Sequence, residues 1–199
     1  MSNQNPQGTV TITDPPFIIS LLSSTRWAWL WLIIRLYVGY SWFTSGWSKV
    51  GNPAWMQSGT ALQGYWERAV AIPDAPARPA IAFDWYRGFL QVLLDNGAYT
   101  WFAKLIVAGE LLIGVALILG AFVGIAAFAG GFMNWNFMMA GTASTNPVLF
   151  TLSILIILAW KNAGWWGLDR WLLPRLGTPW RPIYAAPQSI RLSGKEVTQ

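Results

Sequence analysis

The sequence predicts an all-α fold: an integral membrane four-helix bundle with a short helical extracytoplasmic cap between the first and second spans. Three observations predict it. Between Lys104 and Lys161 the only charged residue is Glu110. Hydrophobic residues make up 54% of the chain and charged residues 11%, and the mean hydropathy is +0.39. The fifteen tryptophans are typical of chains that cross the membrane–water interface. Lipid provides the apolar surroundings that so long an uncharged run needs.

The composition also excludes several function classes. The chain has no cysteine and no histidine. No haem, iron–sulfur cluster or zinc site of the usual ligand types is therefore expected, nor is a cysteine nucleophile or a histidine acid–base catalyst. The net charge of +5 comes from basic residues scattered outside the apolar runs, so no nucleic-acid partner is expected. Any redox chemistry would require a bound organic cofactor or a partner subunit.

The chain opens with a polar N-terminal arm over 1–25 that ends in an interfacial apolar stretch at 17–22. The arm lacks the basic segment followed by an apolar segment that marks a cleavable signal peptide. The first span is predicted over 27–47. Arg26 stands at its start, and Lys49 lies just beyond its end.

Residues 50–99 are predicted to form the outer cap. Proline and charged residues reappear there, and no stretch is long enough to cross a bilayer. Asn52-Pro53 is a helix start, and this helix is expected to run to about residue 70, before a proline-rich linker. A second helix is predicted over 80–95, ended by Asn96-Gly97. Its apolar residues recur at helical spacing: Trp85, Phe89, Val92 and Leu93.

The long uncharged run must contain several spans, because about 20 residues at 1.5 Å each cross a bilayer. Breaks at 120–124 and at 141–147 divide it into spans over 100–120, 122–140 and 147–163. The tight turn at Gly120 predicts a close antiparallel hairpin of the second and third spans. Small residues at four-residue spacing would permit close helix contact, although glycine is also simply common in membrane helices. The membrane domain is thus predicted over 26–172.

The distribution of basic residues predicts the orientation. The tail over 173–199 is basic, and the positive-inside rule places it in the cytoplasm. An even number of spans then places the N-terminus on the same side, so that both termini are cytoplasmic and the cap faces outward. Three tryptophans would anchor the exit of the fourth span: Trp165, Trp166 and Trp171.

Two opposite charges are predicted to pair inside the membrane. Arg35 lies about eight residues and Glu110 about ten residues from the inner ends of their spans, which places both roughly 12–15 Å from the inner surface. An unpaired charge at that depth is costly, and pairing lowers the cost. The pair would either fix the helix register or provide a polar anchor for a ligand headgroup or a proton route.

Other polar residues near the outer half of the bundle allow two interpretations each. Asn134 and Asn136 cannot share one narrow helix face, so one is expected to bond a neighbouring helix and the other to line a cavity with tyrosine or tryptophan side chains of the first span. Both could instead form hydrogen bonds to neighbouring helices.

Lys49 and Lys104 are expected to snorkel to lipid headgroups. The alternative is that they bind an anionic substrate beside the cap.

Several segments together resemble the DoxX family over roughly 27–172. The run GELLIGVALILG at 109–120 resembles its second span, and FMNWNFMMAG at 132–141, followed by Asn146-Pro147, resembles its third. GWWGLDR at 164–170 matches the family's Gly-Leu-Asp-Arg close. Relatives often carry a basic residue in the turn after the second span, where this chain has Phe122-Val123-Gly124. The first span matches at Arg35, Gly39, Gly46 and Lys49.

The resemblance implies a four-helix membrane bundle in a prokaryotic plasma membrane, whose interior polar positions are Arg35, Glu110, Asn134 and Asn136. The family includes the DoxD-type membrane subunit of thiosulfate:quinone oxidoreductase. The expected function is therefore a membrane subunit of a quinone-linked oxidoreductase, with quinone as cofactor and with membrane or extracytoplasmic subunits as partners. The alternative is a non-catalytic accessory subunit of a larger respiratory or photosynthetic complex. A flat quinone-binding slot is expected from Tyr37, Tyr40, Trp42 and Trp135.

Overall fold

A computed structural model describes residues 14–178, and within them the prediction of an all-α fold is confirmed: the segment contains helices and no strand. Most of the predicted N-terminal arm and basic tail lie outside the described residues. A 3-10 turn over Thr25–Trp27 joins the first two helices. The α-helices are α1 Pro16–Ser23, α2 Ala28–Val50, α3 Pro53–Met56, α4 Thr60–Val70, α5 Asp84–Asp95, α6 Tyr99–Leu119, α7 Val123–Met139, α8 Asn146–Leu158, α9 Trp160–Ala163 and α10 Asp169–Arg175.

The cap begins as the sequence predicts, but its first helix is broken. The Asn52 side chain accepts a hydrogen bond of 3.0 Å from the amide of Ala54, which caps α3. The chain then turns at Gly59, whose φ of +73° favours glycine, before α4 begins. A side chain at Gly59 would also collide with the backbone of Tyr99 at the start of α6. The break therefore lets the cap pack directly on the bundle.

Four long helices, α2, α6, α7 and α8, form the bundle, and its most extensive contacts pair α2 with α6 and α7 with α8. Glycines set the antiparallel register of the first pair. Gly39 lies against Leu117 and Ile118, while Gly46 lies against Glu110 and Leu111. The bundle core is apolar and includes Trp31, Val38, Ile113, Leu117, Ala127 and Ile156.

The hairpin of α6 and α7 is more open than predicted. The two helices contact each other less than either contacts its main neighbour. The cap helices α4 and α5 pack near the start of α6 and the end of α7, and they form a second apolar cluster there. The two helices still touch where Gly109 lies against Met133 and Gly130 against Ile113, while the cap and a cavity occupy space beside them at the cap end.

The predicted fourth span is also divided. Helix α8 ends at Leu158, and α9 follows after Ala159. The Asn162 side chain donates to the carbonyl oxygens of Ser24, at 2.8 Å, and Leu21, at 3.2 Å. The bend therefore ties α9 to the segment that joins α1 and α2.

One helix within the described residues, α6, is long and apolar enough to cross a membrane by itself. Helices α1 and α2, which are bent by 60° at their junction, would add a second span if they act together. Helix α8 is apolar but has 13 residues.

Candidate functional site

Glu110, the one acid of the long uncharged run, forms an ion pair with Lys49. The Lys49 Nζ atom donates to Glu110 Oε2 at 2.6 Å and to Oε1 at 2.8 Å. Ser45 Oγ donates to Oε1 at 3.2 Å and accepts from Lys49 at 2.8 Å. The ring of Trp55 lies 5.2 Å from the ammonium. Since the Glu110 side chain is 3% exposed, this cluster neutralises a buried charge between α2 and α6.

The predicted pair of Arg35 with Glu110 is therefore wrong, and so is the prediction that Lys49 snorkels to the surface. The predicted pairing assumed that residues at equal depth from the inner ends of their spans face each other. In the structure, the glycine contacts between α2 and α6 determine which residues face each other. Gly46 lies beside Glu110, and Arg35 lies about three turns, or roughly 16 Å, back toward the start of α2. Lys104 is exposed.

Arg35 belongs to a separate polar cluster at the opposite end of the bundle. Its side chain is buried, and Nη2 donates to the carbonyl oxygen of Trp166 at 3.1 Å. The guanidinium lies against Gly120 and Gly167, where an added side-chain carbon would collide with it. The carboxylate of Asp169 provides the nearby opposite charge.

Asp169 closes the turn between α6 and α7. Its two carboxylate oxygens accept from the amides of Phe122, at 2.6 Å, and Val123, at 2.8 Å. Its own amide donates to the carbonyl oxygen of Gly120 at 2.8 Å. A buried carboxylate thus satisfies amides at the start of α7, where negative charge is favoured. In the sequence, Asp169 stood out only as part of the Gly-Leu-Asp-Arg motif, and this role was not predicted. An acidic residue next to a basic tail was nevertheless a signal that could have been used.

A cavity of about 490 Å³ lies between the cap and the helices α6 and α7. Its walls are almost entirely apolar. Three of its lining residues, Leu105, Leu112 and Phe132, are themselves largely exposed, so the cavity opens at the side of the bundle. Other lining residues include Leu62, Trp66, Leu90, Phe102, Ile106 and Met133.

The few polar groups of this cavity lie at its cap end. Tyr86 Oη donates to the carbonyl oxygen of Asn136 at 3.0 Å and lies 3.2 Å from Asn136 Oδ1. Tyr65 Oη lies 2.8 Å from Thr142 Oγ1 and 3.4 Å from the carbonyl oxygen of Phe137.

Burial, with a smaller contribution from Tyr65, raises the pKa of Tyr86 to about 12. Burial also raises the pKa of Tyr65. Both phenols are therefore neutral hydrogen-bonding groups.

The structure does not bring together the four residues of the predicted quinone slot. Tyr37 and Tyr40 are 51% and 65% exposed on α2, while Trp42 is buried in the core. Trp135 alone lies near the cavity. Its ring packs 6.3 Å from that of Tyr86 and 6.0 Å from that of Phe132.

The two asparagines of α7 face different surroundings, in agreement with their two-residue spacing. Asn136 lines the cavity, although beside cap tyrosines rather than the side chains of α2. Its Nδ2 atom donates to the carbonyl oxygen of Phe132 at 2.8 Å. Asn134 is fully buried in the bundle, and its side-chain amide has no hydrogen-bonding partner within the described residues.

Comparison with known proteins adds no relative. No family model matches this chain, and searches of curated proteins and of solved structures found no match.

Proposed function

We propose that this chain is a multi-pass protein of a prokaryotic plasma membrane, built on a four-helix bundle of the DoxX type. Its exposed apolar side chains support this proposal, because water-soluble monomers rarely present large contiguous apolar surfaces. A lipid environment would cover them. They occur on all four long helices and include Ile33, Leu36, Leu112, Val115, Ile125, Phe128, Ile154 and Leu158.

The arrangement of charge supports two cytoplasmic termini. Helices α1 and α10 lie at the same end of the bundle, opposite the cap. That end carries Arg26, Lys161, Arg170 and Arg175, whereas acidic and basic residues nearly balance over 50–99. An excess of basic residues is typical of the cytoplasmic side.

We further propose that the cavity binds a quinone, which enters from the bilayer through the lateral opening. The observation that carries this proposal is a cavity of about 490 Å³ with apolar walls and a polar end formed by Tyr65, Tyr86 and Asn136. That volume and that distribution of polar groups are typical of sites for small apolar ligands. The residues present therefore fit a flat ring with an apolar chain better than a charged or highly polar substrate.

In this proposal the protein is the membrane subunit of a quinone-linked oxidoreductase. A bound quinone would supply two-electron redox chemistry, and a partner subunit would supply the electrons. The phenols of Tyr65 and Tyr86 would contact the polar ring, and the apolar walls would exclude water from it. The Lys49–Glu110 pair lies on the face of α6 toward α2, so it is assigned to structure rather than to ligand binding.

One surface favours the second candidate, a non-catalytic accessory subunit of a larger membrane complex. The outward face of α5 presents Trp85, Phe89 and Val92, which are 61%, 48% and 59% exposed. This spacing forms an apolar stripe outside the bundle. Packing against a partner subunit would bury that stripe without a ligand in the cavity, which Phe89 also lines.

Quinone binding can be tested with the purified protein in lipid nanodiscs. Lipid extracts would be analysed by mass spectrometry for co-purified quinone, and a short-chain quinone would be titrated by calorimetry. Ala129 lines the cavity, so Ala129→Phe should fill it and abolish binding. Ile125, one turn earlier on α7, is 69% exposed, so Ile125→Phe is the matched control and should leave binding unchanged. Absence of both co-purified and titrated quinone would overturn the proposal, and stable isolation with a large complex would then support the accessory role.

A further inference from the structure

Three polar side chains from three different helices are buried in the bundle core without a hydrogen-bonding partner among the described residues. They are Trp42 on α2, Asn134 on α7 and Ser153 on α8, and each is at most 3% exposed. The atoms without partners are Trp42 Nε1, Asn134 Oδ1 and Nδ2, and Ser153 Oγ. Buried polar groups in folded proteins almost always have a partner, which is protein or ordered water.

Two adjacent glycines of α7 let side chains of α2 and α8 pack close to the α7 backbone. A side-chain carbon on Gly130 would lie 2.9 Å from Trp42 Nε1, and one on Gly131 would lie 3.4 Å from Ser153 Cβ. Asn134 follows these glycines by one helical turn. Because helical side chains lean toward the N-terminus of their helix, we expect its amide to extend toward Gly130 and Gly131. Since neither glycine has a side chain, Trp42 of α2 and Ser153 of α8 can both approach the backbone of α7 beside the turn that carries Asn134.

The chemistry of this cluster favours a ligand that can both donate and accept hydrogen bonds. The indole N–H donates only, the amide both donates and accepts, and the hydroxyl does either. None of the three is charged, which disfavours a cation or an anion as the bound species. Water donates and accepts equally well, and buried waters typically make about three hydrogen bonds to otherwise unpaired groups.

We propose that the junction of α2, α7 and α8 is a hydration site, in which ordered water bridges Trp42, Asn134 and Ser153. This inference goes beyond the proposed function, because it requires neither a quinone nor a partner subunit. The site would give the apolar core a specific polar contact among three helices. It is distinct from the cavity beside the cap, because none of these three residues lines that cavity.

The test uses nuclear magnetic resonance on the full chain, labelled with ¹⁵N-tryptophan, in lipid nanodiscs. Trp31 is the matched control, because it is equally buried but its indole nitrogen already donates to the carbonyl oxygen of Leu21 at 2.8 Å. The indole signals would be assigned from Trp42→Phe and Trp31→Phe. The expected result is a magnetisation-transfer peak from water to the Trp42 indole proton and none to that of Trp31.

Variants of the two asparagines give the second comparison. Asn134→Leu replaces the amide by an apolar side chain of similar volume and should reduce the Trp42 water peak to the level of Trp31. Asn136→Leu, on the same helix but at the cavity, should leave that peak unchanged. A wild-type Trp42 without a water peak, or a peak that persists in Asn134→Leu, would overturn the proposal. If Asn134→Leu does not fold, the wild-type comparison of Trp42 with Trp31 decides the question alone.

Discussion

Lys49 and Glu110 form a bidentate ion pair across the contact of α2 and α6, with the ammonium 2.8 Å and 2.6 Å from the two carboxylate oxygens. This pair lies toward the cap end of the bundle, whereas Arg35 and Asp169 lie toward the opposite end. The bundle therefore neutralises its buried charges in two separate clusters. Each charge is matched locally, so that no pairing is needed across the middle of the bundle.

Removal of one partner of the ion pair should be strongly destabilising. Lys49→Met leaves the Glu110 carboxylate buried without a counter-charge, and we expect a loss of about 3–5 kcal/mol in the free energy of unfolding. Denaturant unfolding in mixed micelles, followed by circular dichroism, measures this loss. Lys104→Met removes an exposed lysine and should change stability by about 0.5 kcal/mol or less. Equal effects of the two variants would contradict the buried pair.

The two polar clusters should be energetically independent. A double-mutant cycle between Arg35→Met and Glu110→Gln should show additivity within about 0.5 kcal/mol, because the two sites share no partner. The same cycle between Lys49→Met and Glu110→Gln should show a coupling well above that value. Strong coupling of Arg35 with Glu110 would instead support a direct pair in a different helix register.

Asp169 should be required for an ordered start of α7. Asp169→Ala leaves the amides of Phe122 and Val123 without their acceptors, and we expect a loss of about 2–4 kcal/mol. Hydrogen exchange resolved by mass spectrometry should show faster exchange at these two amides. Asp169→Asn, which keeps one acceptor oxygen, should have an intermediate effect. Asp74→Asn, at an exposed acid of the cap, should leave the exchange of α7 unchanged.

Gly120 and Gly97 form a matched pair of glycines. Both have positive φ, +70° and +63°, but only Gly120 is packed against other groups. Gly97→Ala should cost about 1 kcal/mol from backbone strain alone. Gly120→Ala should cost several kcal/mol more, because its added carbon would overlap the buried Arg35 guanidinium and would also collide with the backbone of Gly167. Thermal unfolding of the two variants measures the difference, and similar losses would mean that Arg35 is not packed there.

The raised pKa of Tyr86 predicts alkaline sensitivity. Its folded-state pKa of about 12 lies above the ordinary tyrosine pKa of 10.0, so its contribution to stability is complete below pH 10.0 and is lost as the pH rises toward 12. Absorbance titration of the phenolate should show a late step near pH 12 that is absent in Tyr86→Phe. That variant should also lose less stability between pH 10.0 and 12. Tyr37→Phe, at an exposed site, should retain the late step.

The helices could be predicted from the sequence because the signals that start and end them are local. Asn52 caps α3, and Gly120 and the Asn146 segment separate the apolar helices at the predicted places. The break of the first cap helix at Gly59 was missed. A glycine within a helical pattern does not reveal that distant backbone, here that of Tyr99, will pack against it.

The candidate sites were less predictable, because they depend on how distant segments pack. The partner of Glu110 follows from the register of α2 and α6, in which Lys49 rather than Arg35 is opposite. The cavity exists only because the cap folds back on the bundle, and Tyr86 meets Asn136 across fifty residues of sequence. Neither contact can be predicted from the residue pattern within a single helix.

The bonds from Asp169 to the start of α7 have a consequence for biosynthesis. The amides of Phe122 and Val123 emerge from the ribosome well before the carboxylate that binds them. Until residue 169 has been synthesised, the turn between α6 and α7 lacks its acceptor. A nascent chain truncated before this point should therefore be a better substrate for quality-control proteases than one that ends just after α10.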